Sequence, residues 1–343
     1  MTIQLIWFCL AALLIAGYVV LDGFDLGAGA IHLFVARGAA ERKLILKTVG
    51  PVWDGNEVWL LAGGGTLFMA FPNLYAASFS GFYLPLMIVL WLLILRGVSI
   101  EFRNRIDSPV WTPLWDGGFC ISSALLAIFF GAALGNVVRG VPLDASGNFF
   151  LPLWTDFRPN LHGQGDRPGV LDWYTILTGV LALAALVEHG ALWVRYKTSG
   201  ELSARAGTAA HTIWSLLGLL TLGATVASFY LQPQIPANFR AHPWGAIFPL
   251  LAIAGFAGMR RRGERAAFLS SCAYLVGMLT SAAFGVFPYV LPSAPAPALG
   301  LTIYSAATAD YGLKVALAWW IPGMLLVGVY TTFVYRKFAG KVN

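Results

Sequence analysis

Two short stretches hold most of the acids that an otherwise apolar chain could bring together. The first is Asp22-Gly23-Phe24-Asp25-Leu26-Gly27 and the second is Trp53-Asp54-Gly55-Asn56-Glu57-Val58-Trp59. Asp22 and Asp25 stand three residues apart, as do Asp54 and Glu57, so a helix sets each pair on one face. Glu101 adds a carboxylate, with Arg96, Arg103 and Arg105 close by as partners. Carboxylates are costly to bury in a membrane, and there they form proton relays or pair with each other and with cations. Two chemistries therefore compete. One is a proton-conducting path of carboxylates chained by water; the other is a static network that pairs helices. Spacing alone leaves them evenly matched. For Asp54 by itself a plainer account exists, because Pro51 fits a helix start and an acid in the first turn suits the helix dipole.

Other residues with chemical potential receive simpler readings. Glu188 and His189 form an adjacent pair, and Glu188 sits two turns before a basic loop, where snorkelling to the interface is expected. His32 follows Asp25 by seven residues and falls near the same face. No two of the histidines 32, 162, 189, 211 and 242 stand three or four apart, and no Met or Cys is usefully offset. That pattern predicts no metal site and no haem bound by this chain alone. Cys9, Cys120 and Cys272 lie singly in apolar runs, as small buried hydrophobes do. Gly23 and Gly27 are a small-xxx-small pair that lets another helix come close. Trp59 lies inside an apolar run beside Glu57, ahead of Gly63, Gly64 and Gly65. The other tryptophans, among them Trp7, Trp111, Trp115, Trp173, Trp244, Trp319 and Trp320, fit an interfacial belt.

The elements that must position these groups are membrane helices. The 343 residues are 58% hydrophobic and only 11% charged, with mean hydropathy +0.72, whereas a soluble domain is roughly 25% charged. Apolar runs predict an all-α polytopic membrane protein forming one membrane domain over residues 1–343. Its nine transmembrane helices lie near 3–35, 50–71, 75–100, 115–138, 170–196, 209–231, 244–259, 265–288 and 311–335. The first exceeds what a bilayer needs and should tilt or project. Of the 22 bases, 17 fall in alternate connections, from Arg37 through Arg96, Arg103, Lys197 and Arg260 to Lys341. The positive-inside rule then puts the N-terminus outside and the C-terminus in the cytoplasm, as an odd span count requires. The net charge of +6 belongs to that topology and not to nucleic acid. The first run lacks a basic n-region and a cleavage pattern, so it reads as a retained span. Outside lie a long loop, 139–169, and an extended Pro-rich segment, 291–299. Ala70-Phe71-Pro72 and Val286-Phe287-Pro288 make a faint internal echo.

The same stretches resemble subunit II of cytochrome bd-type quinol oxidases. The resemblance rests on the two acidic motifs, on Phe71-Pro72 to Tyr83, on Arg96-Gly97 to Glu101-Phe102-Arg103, and on Phe130-Gly131 to Gly135-Asn136 with Gly140-Val141-Pro142. It continues to Phe287-Pro288 and Leu291-Pro292 and so spans nearly the whole chain. It implies a bacterial inner-membrane complex with subunit I, which carries haems b and d, oxidises quinol and reduces oxygen to water. Subunit II would be similar in fold, free of haem, and would shape access to the oxygen site. Small single-span subunits and a structural quinone or lipid are compatible with it. By the same resemblance Asp25, Asp54 and Glu101 match a cytoplasmic proton path, with Asp22 and Glu57 tuning or feeding it, and Trp59 matches an oxygen-access route. Glu57 stands where some relatives have Gln, which looks more like the cyanide-insensitive branch. The rival from another class is a secondary transporter, which would transport alone and show inverted repeats with broken helices. A third reading is a binding subunit whose acids only assemble a complex.

Overall fold

Long apolar sequences form helices because only a helix satisfies its own backbone in hydrocarbon. The computed structural model describes residues 2–106, 108–155, 168–294 and 296–342. Part of the long loop, with Arg158, His162 and Arg167, and also Pro295, falls outside the described residues. The helices are α1 (Ile3–Val35), α2 (Ala39–Val49), α3 (Trp53–Ala70), α4 (Pro72–Gly81), α5 (Tyr83–Phe102) and α6 (Trp111–Arg139). They continue with α7 (Trp173–Lys197), α8 (Gly200–Leu231), α9 (Gln234–Ala241), α10 (Ile247–Gly258), α11 (Glu264–Val286) and α12 (Asp310–Lys337). Between α11 and α12 a two-stranded antiparallel ribbon pairs β1 (Tyr289–Leu291) with β2 (Leu301–Thr302).

Among the described residues seven helices, α1, α5, α6, α7, α8, α11 and α12, are each long and apolar enough to cross a bilayer. The other two expected spans are bent pairs. α3 and α4 fold back at 118°, and α9 is set at 110° to the 243–258 helix that contains α10. The count of nine is reached when each bent pair is one span. Three expected boundaries are corrected. The third span starts at Tyr83, because Pro72 opens a separate helix over 72–81, proline being favoured in a first helical turn. The sixth begins at Gly200 and not near 209. The seventh is preceded by α9 and by a 3-10 turn, Pro243–Ala246.

α1 is the central column. It stays one continuous 33-residue helix and packs against α3, α6, α7 and α11. At one end, contacts join the basic connections to each other. Arg205 bonds Glu41 and the Val35 carbonyl, Lys341 bonds Glu264 and the Thr198 carbonyl, and Lys197 bonds the Phe338 carbonyl. At the other end Gln4 bonds Asp310, Asn73 bonds the Ser305 carbonyl, and Val141 lies alongside Ser293. The charge asymmetry of the sequence is thus a real division of the molecule into a basic end and an opposite end. Trp7 departs from the interfacial expectation: it is fully buried at the opposite end and its indole donates to the Leu313 carbonyl. Cys9 also departs, being exposed, while Cys120 is buried.

Candidate functional site

The carboxylates of α1 project into the protein. Asp22 and Asp25 are both completely buried, as their spacing on one face requires. Asp22 receives both terminal nitrogens of Arg96 from α5, each at 2.7 Å, in a bidentate pair. Arg96 also reaches Glu57 of α3 at 3.3 Å, and its guanidinium stands 6.0 Å from the Trp53 ring centroid. Arg96 is therefore a core residue of a spanning helix, not a loop cation, and it is no partner of Glu101. An intramembrane arginine is expensive enough to mark a function or a pair. That signal was present in the sequence, three positions before Ser99.

Asp25 is held differently. Its Oδ2 accepts from Asn56 Nδ2 at 2.8 Å, and the same amide donates to the Leu21 carbonyl at 3.0 Å. Asn56 Oδ1 accepts the Tyr335 hydroxyl of α12 at 2.9 Å. Asp25 Oδ1 is buried with no hydrogen-bond partner among the described residues. One aspartate is thus clamped by a cation, while the other offers a bare oxygen. Asn56 stands in the second acidic motif, but its contact with Tyr335 has no local signature, because a neutral amide and a distant tyrosine carry no shared pattern.

The remaining acids do not all converge. Asp54 is exposed on α3. Glu101 is exposed too, and borders a cavity of about 620 Å³ with Lys47, Asn104 and Arg105 at the basic end. Arg103, expected near Glu101, instead grips Asp116 of α6, which Arg42 approaches at 3.4 Å and His32 at 3.7 Å. Nothing in the sequence singles out Asp116, because it sits near the start of a span with no acid at helical spacing.

Glu188 does not snorkel. It is 1% exposed, and its Oε2 has no hydrogen-bond partner among the described residues. The adjacent His189 is also buried, with Nε2 2.9 Å from the Val20 carbonyl and Nδ1 2.7 Å from Ser271 Oγ. Both its nitrogens are therefore occupied. Among the described residues, no three His, Cys, Asp or Glu side chains gather as metal ligands.

Gly23 and Gly27 do what the small-xxx-small pattern predicts. A Cβ on Gly27 would stand 1.8 Å from the Leu186 carbonyl oxygen, and one on Gly23 would stand 2.9 Å from a Leu186 methyl. α1 and α7 are in backbone contact there. Trp59 closes over Gly17, whose Cβ would lie 2.6 Å from the indole. Gly63, Gly64 and Gly65 have open space around them within this chain.

Comparison with known proteins bears on this arrangement. A family model described as cytochrome bd terminal oxidase subunit II matches residues 3–338. The chain is 31% identical to a probable cytochrome oxidase subunit 2 of Haemophilus influenzae, covering 99% of this chain and 95% of that one. It is 30% identical to the cytochrome bd-I ubiquinol oxidase subunit 2 of Escherichia coli, with the same coverage. It is also 30% identical to the cytochrome bd ubiquinol oxidase subunit 2 of Bacillus subtilis, covering 97% of this chain and 95% of the other. A solved structure of bd oxidase from Geobacillus thermodenitrificans superposes with a TM-score of 0.74 at 17% identity, covering 98% of this chain and 99% of that chain. The last likeness is one of fold.

Proposed function

Since the chain belongs to the cytochrome bd terminal oxidase subunit II family, we propose that it supports a haem-bearing subunit I and carries part of the proton supply for oxygen reduction. The complex would oxidise quinol, reduce oxygen to water in a bacterial inner membrane, and separate charge by taking protons from the cytoplasmic side. On this reading the basic end of the molecule faces the cytoplasm and the N-terminus lies outside. Haems b and d belong to subunit I. The two buried histidines in the spans support that division: His189 has both nitrogens occupied, and His32 turns its bare nitrogen toward Asp116.

The observation that carries the proton role is the contrast between the two aspartates of α1. Asp22 is neutralised by a bidentate arginine and serves as a fixed anchor. Asp25 keeps one oxygen unpartnered in a buried site, where internal water is the usual partner of such a group. A carboxyl with a free oxygen can accept and pass a proton; one forked to a guanidinium cannot do so without breaking the fork. The two readings that spacing left open are therefore divided between neighbours. Asp54 and Glu101, exposed near the basic end, would collect protons, and Glu57, shared with Arg96, would bias the field between mouth and core. Trp59, closed over Gly17, would border the oxygen route as a packing wall.

The test is Asp25→Asn in the assembled complex. Turnover with quinol should fall about a hundredfold, the lower end of what a positioned proton-transfer group contributes, while haem spectra and assembly stay as in the parent. Asp54→Asn should slow turnover less, since an exposed collector can be bypassed by water. Full activity of an assembled Asp25→Asn complex would reject the path and leave these acids a structural role.

A further inference from the structure

α8 and α10 run beside each other without closing. α8 packs on α7 and α10 packs on α11, so a cleft is left between them with α11 as its floor. Its volume is about 410 Å³, and its walls include Leu222, Phe229, Ile253, Phe256, Tyr274 and Met278. Leu222 and Ile253 are each 64% exposed, so the cleft opens on a face that meets hydrocarbon in a bilayer. α9 closes its far end through Ile235 and Phe239. From Gly218 to Phe229 the cleft follows α8 for about 16 Å, at roughly 1.5 Å per residue.

The hydroxyls that line this cleft are already engaged. Thr221 and Tyr274 share a 2.6 Å hydrogen bond, and Thr225, Ser228 and Ser281 donate to carbonyls of their own helices. A polar ring or headgroup placed inside would lose water and find few partners in return. An aliphatic chain needs none. The polar end of such a ligand must therefore lie beyond one end of the cleft.

The basic end is built for it. Trp214 closes the cleft there, donating its indole hydrogen to the Phe256 carbonyl at 2.9 Å and stacking on the Phe256 ring at 4.4 Å between centroids. The Arg260 guanidinium lies over the same indole, 4.8 Å from its centroid. Stacking uses the guanidinium face and leaves its N–H edge free to donate. Arg261, Arg262 and Arg265 follow on the turn into α11, and all four arginines are exposed. Among the described residues none of the four meets a carboxylate, since the neighbouring Glu264 is bound by Lys341 at 2.8 Å. Arg195 adds a fifth guanidinium: its Nη2 donates to the Arg262 carbonyl at 3.2 Å, and its Nη1 is buried without a partner. At the far end α9 carries a single base, Arg240. The positive-inside rule explains bases at this end. It does not lay a guanidinium on the indole that closes an apolar cleft.

We propose that the α8–α10 cleft binds an anionic phospholipid from the leaflet at the basic end. One acyl chain lies in the cleft, and the phosphate sits among Arg260, Arg261, Arg262 and Arg265. Guanidinium N–H forks match phosphate oxygens, and basic clusters at a membrane surface favour acidic headgroups. The chain fills the space that α8 and α10 leave, and no covalent bond changes. The inference is independent of the role of Asp25.

The test titrates the detergent-purified complex with phosphatidylglycerol and with phosphatidylcholine of equal chain length, counting bound lipid by native mass spectrometry. The parent should bind phosphatidylglycerol more tightly. Arg260→Gln combined with Arg261→Gln should weaken phosphatidylglycerol more than about tenfold, from about fivefold for each base beside an acidic headgroup, and leave phosphatidylcholine unchanged. Thr225→Phe fills the cleft and should weaken both lipids alike. Equal binding by the parent and both variants overturns the proposal. So does inorganic phosphate or a short-chain phosphatidylglycerol that binds as well as the long-chain lipid, because the cleft then plays no part. If the variants do not assemble, phosphatidylglycerol with a photoactivatable acyl chain is cross-linked to the parent complex. Labelled peptides from 214–231 and 249–258 support the site. Labels confined elsewhere, or a second polypeptide cross-linked to those peptides in their place, overturn it.

Discussion

At the scale of single residues, the site is governed by which charges have partners. Arg96 and Asp22 are both fully buried and bind through two 2.7 Å contacts, so neither can lose the other without leaving an uncompensated charge. Arg96→Leu should destabilise the fold by about 3–5 kcal/mol, seen as a lower melting temperature or failed assembly. Arg96→Leu combined with Asp22→Leu should recover much of that loss, because a buried pair replaced by apolar groups is often neutral. Equal stability of the single and double variants would contradict the pairing. The acids on α1 were legible in the sequence, since a spacing of three fixes a shared face. Their partners were not. Arg96 reads as a loop cation because it stands close to the expected span end at 100 and beside Arg103 and Arg105, and the Tyr335–Asn56 bond joins residues 279 positions apart, a separation that no local pattern reveals.

At the scale of elements, the decisive contact is the backbone approach of α1 to α7. Gly27→Ala would put a methyl 1.8 Å from the Leu186 carbonyl and 2.8 Å from the Gly190 nitrogen. The helices must then part, at about 1–3 kcal/mol or more for overpacking, read as a drop in thermal stability. Gly64→Ala is the internal contrast, because its methyl meets nothing within 4 Å in this chain. A loss of stability there, in the complex but not in the isolated chain, would mark a contact with another subunit. The glycine pair was readable because small residues four apart have one main use in a membrane helix. The bends were not readable. Hydropathy averages over a window, so α3 and α4 merge with α5 into apolar sequence, and only the proline at 72 hints at the corner.

At the scale of the whole molecule, the basic end is held by contacts among segments far apart in sequence. Glu41 accepts from Arg205 at 2.5 Å and from the Arg37 amide at 2.5 Å, and chiefly the Arg205 bond holds its carboxyl below the usual carboxylate range. A lowered value means that the stabilisation is complete above the ordinary carboxylate range and fades as pH falls through the folded value. The α2 amides, their exchange taken relative to an unfolded chain at the same pH, should therefore be less protected near pH 3 than at pH 7. Glu41→Gln should flatten that dependence, and an unchanged dependence would assign it to other acids. This clasp ties the exit of α1 and the start of α2 to the first turns of α8.

The Arg96–Asp22 pair also has a history in time. The two residues are separated by 74 positions, and at synthesis rates of about 5–20 residues per second the carboxylate is made roughly 4–15 s before its cation. During that interval the carboxylate of α1 exists without its cation, and if it is buried it must stay protonated or hydrated until α5 is made. The order of birth thus fixes a sequence in which the anchor of α1 can close only after α5 has been synthesised.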